Sequence, residues 1–278
     1  MPPTIRLVAI DVDGTLLDPE GTLRPRVAAA VKDTLATGCQ VVLATGRRVP
    51  TAGPIARRLG ISTLILMDGA VVYDLESASV RYERTLDSSL GRQAIELVRG
   101  AGLPPVLFES PSGGGRIFVS PVELDNPETA GFLGQRGEVC RLPVEQLPGV
   151  ARVASVAGMG GQSAIDRLAE AARRVTCLQA VRWTPSSAGY RTDVLGLTAP
   201  NISKGNALLW LAEQSGLPRE ATLAIGDFEN DVDMLTKAGV GVAMGNAIAS
   251  VKAVARDVVA DNRNDGVAEA LEKWVLRG

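Results

Sequence analysis

The chain has 278 residues, of which 46% are hydrophobic and 22% charged, so it is long enough for one large domain or two smaller ones with well-filled cores. Its formal net charge of -2 argues against non-specific nucleic-acid binding, which needs a basic surface to displace counterions. The chain contains no histidine, which excludes histidine bases, histidine metal ligands and Ser-His-Asp triads and leaves acid–base and metal chemistry to carboxylates, lysine and hydroxyls.

The cysteines and the apolar runs bear on the compartment. Cys39, Cys140 and Cys177 show no CxxC spacing, which predicts reduced thiols. The apolar run at 5–10 is too short for a signal peptide, and no apolar stretch is long enough to span a bilayer. We therefore expect a soluble cytoplasmic protein, a monomer or homodimer, with no membrane or nucleic-acid partner.

The two ends of the chain alternate short apolar strands with helices. In the first part we predict strands over 5–10, 40–44 and 62–67 and helices over 25–36 and up to residue 59. Towards the C-terminus we predict helices over 203–214, 230–237, 247–255 and 266–276, and strands over 222–225, 240–243 and 258–259. This rhythm is typical of βαβ units around a parallel sheet.

The middle of the chain has a different character. Residues 84–189 are richer in Pro and Gly, and each of two helix candidates, 87–99 and 163–174, precedes strand-like runs. We interpret 84–189 as an α+β module inserted into an α/β domain formed by 1–83 and 190–278.

The clearest motif, DVDGTLLD (residues 11–18), directly follows the first predicted strand. Ligands of parallel α/β sheets bind at the carboxyl ends of the strands, so Asp11 and Asp13 stand where a substrate would bind, and Gly14 lets the chain turn away. A lone pair of aspartates is usually a solvated turn, so the interpretation depends on the other motifs.

Two further motifs offer groups that suit an anion. Thr45 and Gly46 follow the second strand, where a hydroxyl and a free backbone N–H form a small cradle, or else an ordinary strand-to-helix turn. Lys204 follows Ser203 at a predicted helix start and is the only lysine between residues 32 and 237, which favours a need for a compact charge there. The alternative is a surface lysine behind an N-cap serine.

The fourth motif, GDFENDVD (residues 226–233), follows a strand near the C-terminus. Its four carboxylates and one amide suit a hard cation such as Mg²⁺, which prefers oxygen ligands. The alternative is an acidic helix N-terminus favoured by the helix dipole, which would suffice for Glu229 and Asp233.

Taken in this order, the four motifs resemble those of the haloacid dehalogenase superfamily, over 1–83 and 190–278. The insertion resembles the type C2B cap of subfamily IIB, the Cof-type phosphatases, and the run at 262–268 also looks like that group. The resemblance implies a Rossmann-like α/β core with a parallel sheet, an inserted α+β cap domain, and a Mg²⁺-dependent phosphatase that hydrolyses small phosphate monoesters, with sugar phosphates as the expected substrates.

The resemblance also implies a role for each motif residue. Asp11 would attack phosphorus and form an aspartyl-phosphate, while Asp13 would protonate the leaving alkoxide and later take a proton from water. Mg²⁺ would be held by the Asp11 carboxylate, the Asp13 carbonyl and the Asp227 carboxylate, with Asp231 behind them or bound through water. The phosphoryl oxygens would be held by the Val12 backbone, Thr45, the Gly46 N–H, Lys204 and Asn230.

One residue departs from the family pattern. The family commonly has Asn-Gly-Ala after the third strand, whereas this chain has an aspartate, Asp68, in the first of these positions. An extra carboxylate there would alter substrate choice or bind a sugar hydroxyl, and a neutral turn variation is the simpler interpretation.

The inserted cap should close over the site and exclude water. Three of its arginines are candidates for binding a second anion, although solvated surface arginines are the default interpretation: Arg116, Arg182 and Arg191. The glycines at 113–115 form either a loop that faces the site or a hairpin turn.

Three other functions fit these motifs. A phosphomutase would transfer phosphate from a sugar bisphosphate, and a phosphatase of the mannosyl-3-phosphoglycerate type would differ only in its preferred substrate. A non-catalytic metabolite-binding protein would show no Mg²⁺-dependent turnover, and the full set of motif residues disfavours it. A nucleotide-dependent oxidoreductase is disfavoured because no GxGxxG follows the first strand.

Overall fold

The computed structural model describes residues 4–121, 129–130, 133, 138–183 and 193–277. The chain forms two compact units. Unit 1 comprises Met1–Arg47, Ala52–Ser79 and Ser203–Gly278, and unit 2 comprises Arg48–Thr51 and Val80–Ile202.

Strands and helices are numbered here in chain order. The described strands are β1 (Leu7–Ile10), β2 (Gln40–Ala44), β3 (Thr63–Leu66), β4 (Val71–Asp74), β5 (Ser79–Glu83), β6 (Val106–Glu109), β7 (Ile117–Val119), β8 (Val139–Arg141), β9 (Val153–Gly160), β10 (Gln179–Trp183), β11 (Asp193–Thr198), β12 (Thr222–Gly226), β13 (Val240–Ala243) and β14 (Asp257–Val258). The described α-helices are α1 (Pro25–Ala36), α2 (Val49–Leu59), α3 (Ser88–Gly100), α4 (Gln162–Arg173), α5 (Lys204–Gln214), α6 (Val232–Lys237), α7 (Ala249–Val254) and α8 (Gly266–Leu271).

An eight-stranded sheet in the order β14-β13-β12-β1-β2-β3-β4-β5 forms the centre of unit 1. The strands from β14 to β3 run parallel, and β4 runs antiparallel to β3. All four residues of β1 are buried, as expected for a central strand covered on both faces. The carboxyl ends of β1, β2, β3 and β12 therefore lie at one edge of the sheet, which confirms the predicted α/β core.

Unit 2 has its own six-stranded sheet in the order β10-β11-β9-β6-β7-β8, antiparallel except between β7 and β8. Its helices α3 and α4 lie where the sequence predicts helices, so the inserted module is α+β. A Cβ added to Gly158 on β9 would lie 2.9 Å from Leu103 and 3.0 Å from Leu168, so glycine lets the helical layer pack closely on the sheet.

Some boundaries differ from the predicted ones. Unit 2 extends to Ile202, beyond the predicted residue 189, because β11 pairs with β9 and β10. The helix α6 begins at Val232 instead of residue 230, because Glu229–Asp231 form a separate 3₁₀ turn. Among the helices that the structure describes, none combines the length and the apolar character that crossing a bilayer requires.

Candidate active site

The turn after β1 brings Asp11 to the end of β12. Residues Val12–Leu16 form a tight turn with non-helical backbone at Asp13 and Gly14, and the Leu16 N–H closes it by donating to the Asp11 carbonyl at 3.1 Å. Gly14 has φ +84°, and a Cβ there would lie 2.3 Å from Asp227 Oδ2. Glycine is thus required both by the backbone conformation and by the close approach of the turn to Asp227.

Lys204 lies at the centre of the site and its side chain is fully buried. Its Nζ donates to Asp11 Oδ1 at 2.6 Å and to Asp231 Oδ1 at 2.8 Å. Burial alone would lower the pKa of Lys204, but the charges of Asp11 and Asp231 outweigh it and raise its pKa. The structure thus excludes the surface-lysine alternative, and Lys204 stays charged at any ordinary pH.

A close backbone contact fixes the position of Lys204 at the start of α5. A Cβ at Gly69 would lie 2.1 Å from the Ser203 carbonyl, so the loop after β3 packs directly on the first turn of α5. The Ser203 Oγ accepts the Asn206 N–H at 3.0 Å as the N-cap and donates to Asp233. Asp233, for which a helix-dipole role alone would suffice on sequence grounds, therefore also fixes the start of the helix that carries Lys204.

Three carboxylates gather beside Lys204, and they fit a divalent cation. Asp11, Asp227 and Asp231 each offer an oxygen, and these three atoms lie within 4.8 Å of one another. Burial raises the pKa of Asp11 well above its usual range, against the lowering effect of Lys204. Burial likewise raises the pKa of Asp227 to about 6, with a contribution from Asp231 and against the Thr15 hydroxyl bound at 2.7 Å. One lysine does not offset this much buried negative charge, so an oxygen-binding cation such as Mg²⁺ would relieve it.

The Asp13 carboxylate is not one of these three and pairs with Arg47. Two hydrogen bonds join them, from Nε to Oδ2 at 2.8 Å and from Nη2 to Oδ1 at 2.6 Å. Burial would lower the pKa of Arg47, but the bonds to Asp13 outweigh it and raise its pKa. The bidentate pair fixes the orientation of the Asp13 carboxylate, a contact that the sequence motif did not reveal.

The loops after β2 and β3 meet beside the lysine. Thr45 is buried, its carbonyl accepts the Asp68 N–H at 3.2 Å, and a Cβ at Gly46 would lie 3.1 Å from both carboxylate oxygens of Asp68. Asp68 Oδ1 accepts from Asn230 Nδ2 at 2.8 Å. Burial raises the pKa of Asp68, against the effects of Lys204 and Asn230. Asp68 therefore contacts Asn230, a predicted phosphate-binding residue. A neutral turn variation would not require this contact.

The candidate cap arginines are engaged inside unit 2. Arg116 donates two hydrogen bonds to the buried Glu109, each at 2.9 Å, and Arg182 bonds Asp166 at 3.1 Å and Asp193 at 2.7 Å. Ser110–Gly115 form a tight turn between β6 and β7, in which the Gly115 N–H donates to the Ser110 carbonyl at 3.1 Å. Arg191 lies outside the described residues.

The structure therefore brings together most of the predicted site. Lys204 contacts Asp11 and Asp231, and Asp227 lies in the same cluster. Asp68 connects this cluster with Thr45, Gly46 and Asn230. The roles of the Val12 backbone, the Gly46 N–H and the Asp13 carbonyl stay predictions. Arg47 and Asp233 lie within the motifs, but the sequence did not predict their roles, which are to hold Asp13 and the start of α5.

Comparison with known proteins identifies the family of the chain. A family model for haloacid dehalogenase-like hydrolases matches residues 8–129 and 154–271. Pyridoxal phosphate phosphatase YbhA of Escherichia coli is 30% identical over 281 residues, covering 98% of this chain and 100% of that protein. The 5-amino-6-(5-phospho-D-ribitylamino)uracil phosphatase YcsE of Bacillus subtilis is 28% identical over 279 residues, covering 98% and 96%.

A solved structure shows the same fold over nearly the whole chain. A haloacid dehalogenase-like hydrolase from Bacteroides thetaiotaomicron superposes with a TM-score of 0.79 at 27% identity, covering 97% of this chain and 99% of that one. The family model, the relatives and the solved structure agree on one family over nearly the whole chain. The chain thus belongs to the haloacid dehalogenase-like hydrolase family, and it is a phosphatase.

Proposed function

We propose that this phosphatase requires Mg²⁺ and hydrolyses small phosphate monoesters, sugar phosphates among them, through an aspartyl-phosphate on Asp11. The observation that carries the proposal is the fully buried Lys204, which bonds Asp11 at 2.6 Å beside two further carboxylates. The relatives named above act on pyridoxal phosphate and on a phosphoribityl compound, which supports a small phosphorylated metabolite as substrate.

Asp11 and Lys204 act together in the first step. Burial raises the pKa of Asp11, and the ammonium of Lys204 opposes this shift and favours the carboxylate, the form that attacks phosphorus. The P–O bond to the leaving alkoxide breaks as the aspartyl-phosphate forms, and water then attacks phosphorus to release phosphate and restore Asp11. When bound at Asp11, Asp227 and Asp231, Mg²⁺ would supply positive charge against the repulsion between carboxylate and phosphate.

Asp13 serves as the proton donor and acceptor. It gives a proton to the leaving alkoxide and takes one from the attacking water. Arg47 orients the Asp13 side chain with two hydrogen bonds, which supports a fixed position for the group that exchanges the proton. The phosphoryl oxygens are bound in this proposal by Thr45, Gly46 and Asn230.

Release of inorganic phosphate from a panel of sugar phosphates, phosphoglycerates, nucleotides and pyridoxal phosphate tests this function. We expect release with Mg²⁺ and none with EDTA. Transfer of phosphate from a sugar bisphosphate without net release would indicate the phosphomutase instead. No Mg²⁺-dependent turnover of any compound would contradict the proposal and favour a metabolite-binding protein.

Asp68 offers a second prediction, because it combines a hydrogen-bond acceptor with a negative charge. Asp68→Asn keeps an acceptor for Asn230 and removes a charge that competes with phosphate for Lys204, so we expect kcat to be retained and KM to fall. Asp68→Ala loses the contact, and we expect kcat/KM to fall about tenfold, which corresponds to about 1.4 kcal/mol. Steady-state kinetics with one ester check this, and equal losses in both variants would contradict the acceptor role.

The three cysteines are free thiols, which supports the proposal that the protein works in the reducing cytoplasm. A monomer or homodimer is the proposed oligomeric state.

A further inference from the structure

A second layer of side chains holds the turn that follows Asp11. Asn246 Nδ2 donates to the Gly14 carbonyl at 2.8 Å and lies 3.4 Å from Asp227 Oδ2. Asn262, which is buried, donates from Nδ2 to the Leu17 carbonyl at 2.8 Å. Both asparagines come from far along the chain, so their contacts hold the turn from outside its own sequence.

The orientation of the Asn246 amide is fixed by its neighbour. The Asn262 backbone N–H donates to Asn246 Oδ1 at 3.1 Å, and only the oxygen of an amide accepts. The Asn246 NH₂ group must therefore face Gly14 and Asp227. Asn262 thus does two things: it holds Leu17 with its side chain and orients Asn246 with its backbone.

These hydrogen bonds extend to Asp227, a proposed Mg²⁺ ligand, and to the turn that follows the nucleophile Asp11. Asp227 has a donor at each oxygen, Thr15 Oγ1 at 2.7 Å on Oδ1 and Asn246 on Oδ2. The Leu17 N–H in turn donates to the Val12 carbonyl at 3.0 Å, so the carbonyl that Asn262 binds belongs to the residue that closes the turn. A rigid turn keeps Asp11 and Asp227 at a fixed separation, and outer hydrogen bonds of this kind tune metal binding.

We infer that Asn246 and Asn262 are positioning residues of the active site, which fix the turn at 12–17 and the Asp227 carboxylate in the arrangement that binds Mg²⁺ and presents Asp11. This inference rests on the proposed function. It assigns a role to Asn262 in the run at 262–268, and the catalytic motifs assign no role to that run. Neither residue contacts the substrate in this account.

Calorimetric titration of the metal-free protein with Mg²⁺ tests the inference without relying on turnover. Asn246 is exposed, so Asn246→Ala should keep the wild-type free energy of unfolding in urea. We expect its Mg²⁺ affinity to fall about 10- to 100-fold, with a lower kcat at saturating Mg²⁺ and a KM for the ester within about twofold of wild type. Asn262→Ala should weaken Mg²⁺ binding in the same direction, and the double variant should lose less than the sum of the two, because both act on one turn.

Asn264→Ala is the matched control, because Asn264 lies in the same loop, is exposed, and bonds only Asp261 at 2.9 Å among the described side chains. It should bind Mg²⁺ and turn over like wild type. Wild-type Mg²⁺ affinity in Asn246→Ala, or an equal loss in Asn264→Ala, would overturn the inference and leave the proposed function standing. A wild-type protein that neither binds Mg²⁺ nor releases phosphate would overturn both.

Discussion

Asp11→Asn is expected to abolish turnover while the protein stays folded. An amide is too weak a nucleophile to form the aspartyl-phosphate, and loss of one member of a catalytic unit costs on the order of 10⁴-fold or more in kcat. The fold should tolerate the change, because burial already disfavours the charged form of Asp11 and Lys204 keeps its bond to Asp231. We expect the free energy of unfolding to fall by no more than about 1 kcal/mol.

Phosphate release under saturating Mg²⁺ and urea unfolding measure the two halves of this prediction. Asp18→Asn is the matched control, since Asp18 lies in the same motif but its side chain accepts only the N–H groups of Glu20 and Thr22, at 3.1 and 2.7 Å, among the described residues. It should turn over like wild type. Turnover by Asp11→Asn within about tenfold of wild type would remove Asp11 from the nucleophile role, since so small a loss is about 1.4 kcal/mol.

Lys204→Met is expected to cause the largest loss of stability in the molecule together with loss of turnover. The methionine fills the space of the lysine stem but leaves Asp11 and Asp231 buried with no cation between them. Breaking a buried ion pair on one side costs about 3–5 kcal/mol, so the urea midpoint should fall accordingly at pH 8. Lys32→Met, at an exposed position on α1, should stay within about 0.5 kcal/mol of wild type.

The pH dependence of this deficit separates electrostatics from packing. Because the pKa of Lys204 is raised, its stabilising contribution is complete below about pH 10.4 and does not vary over the range tested. In the variant Asp11 loses the cation that opposes the effect of burial, so its pKa stays above the unfolded value, and the cost of its buried charge is absent near pH 4 and grows as pH rises. A deficit that is equal at pH 5 and pH 8 would contradict this account.

A second substitution checks the cause. Asp231→Asn in the Lys204→Met background removes one of the unneutralised charges and keeps an acceptor for the Asp227 N–H, which Asp231 Oδ2 binds at 3.0 Å. It should recover part of the lost stability and none of the turnover. Additive losses would show that the two side chains do not act as a pair.

The sequence was sufficient for the cluster but not for the contacts that orient it. Asp11, Thr45 and Asp227 all follow strands of one parallel sheet, so strand ends at a common edge predicted their meeting. No such rule covers the bidentate pair of Arg47 with Asp13 or the bond of Asn246 to Gly14, which depend on side-chain directions between distant segments. The C-terminal end of unit 2 could not be predicted either. The apolar pattern of β11 is compatible with either sheet, and only its strand pairing assigns it to unit 2.

Trapping the covalent intermediate tests the central claim most directly. The enzyme would be mixed with Mg²⁺ and its best ester, quenched in acid, reduced with borohydride, and its peptides sequenced by mass spectrometry. We predict homoserine in place of Asp11, dependent on Mg²⁺ and substrate, with Asp13 unmodified. Steady turnover with no modification at Asp11, or modification at another carboxylate, would contradict the account.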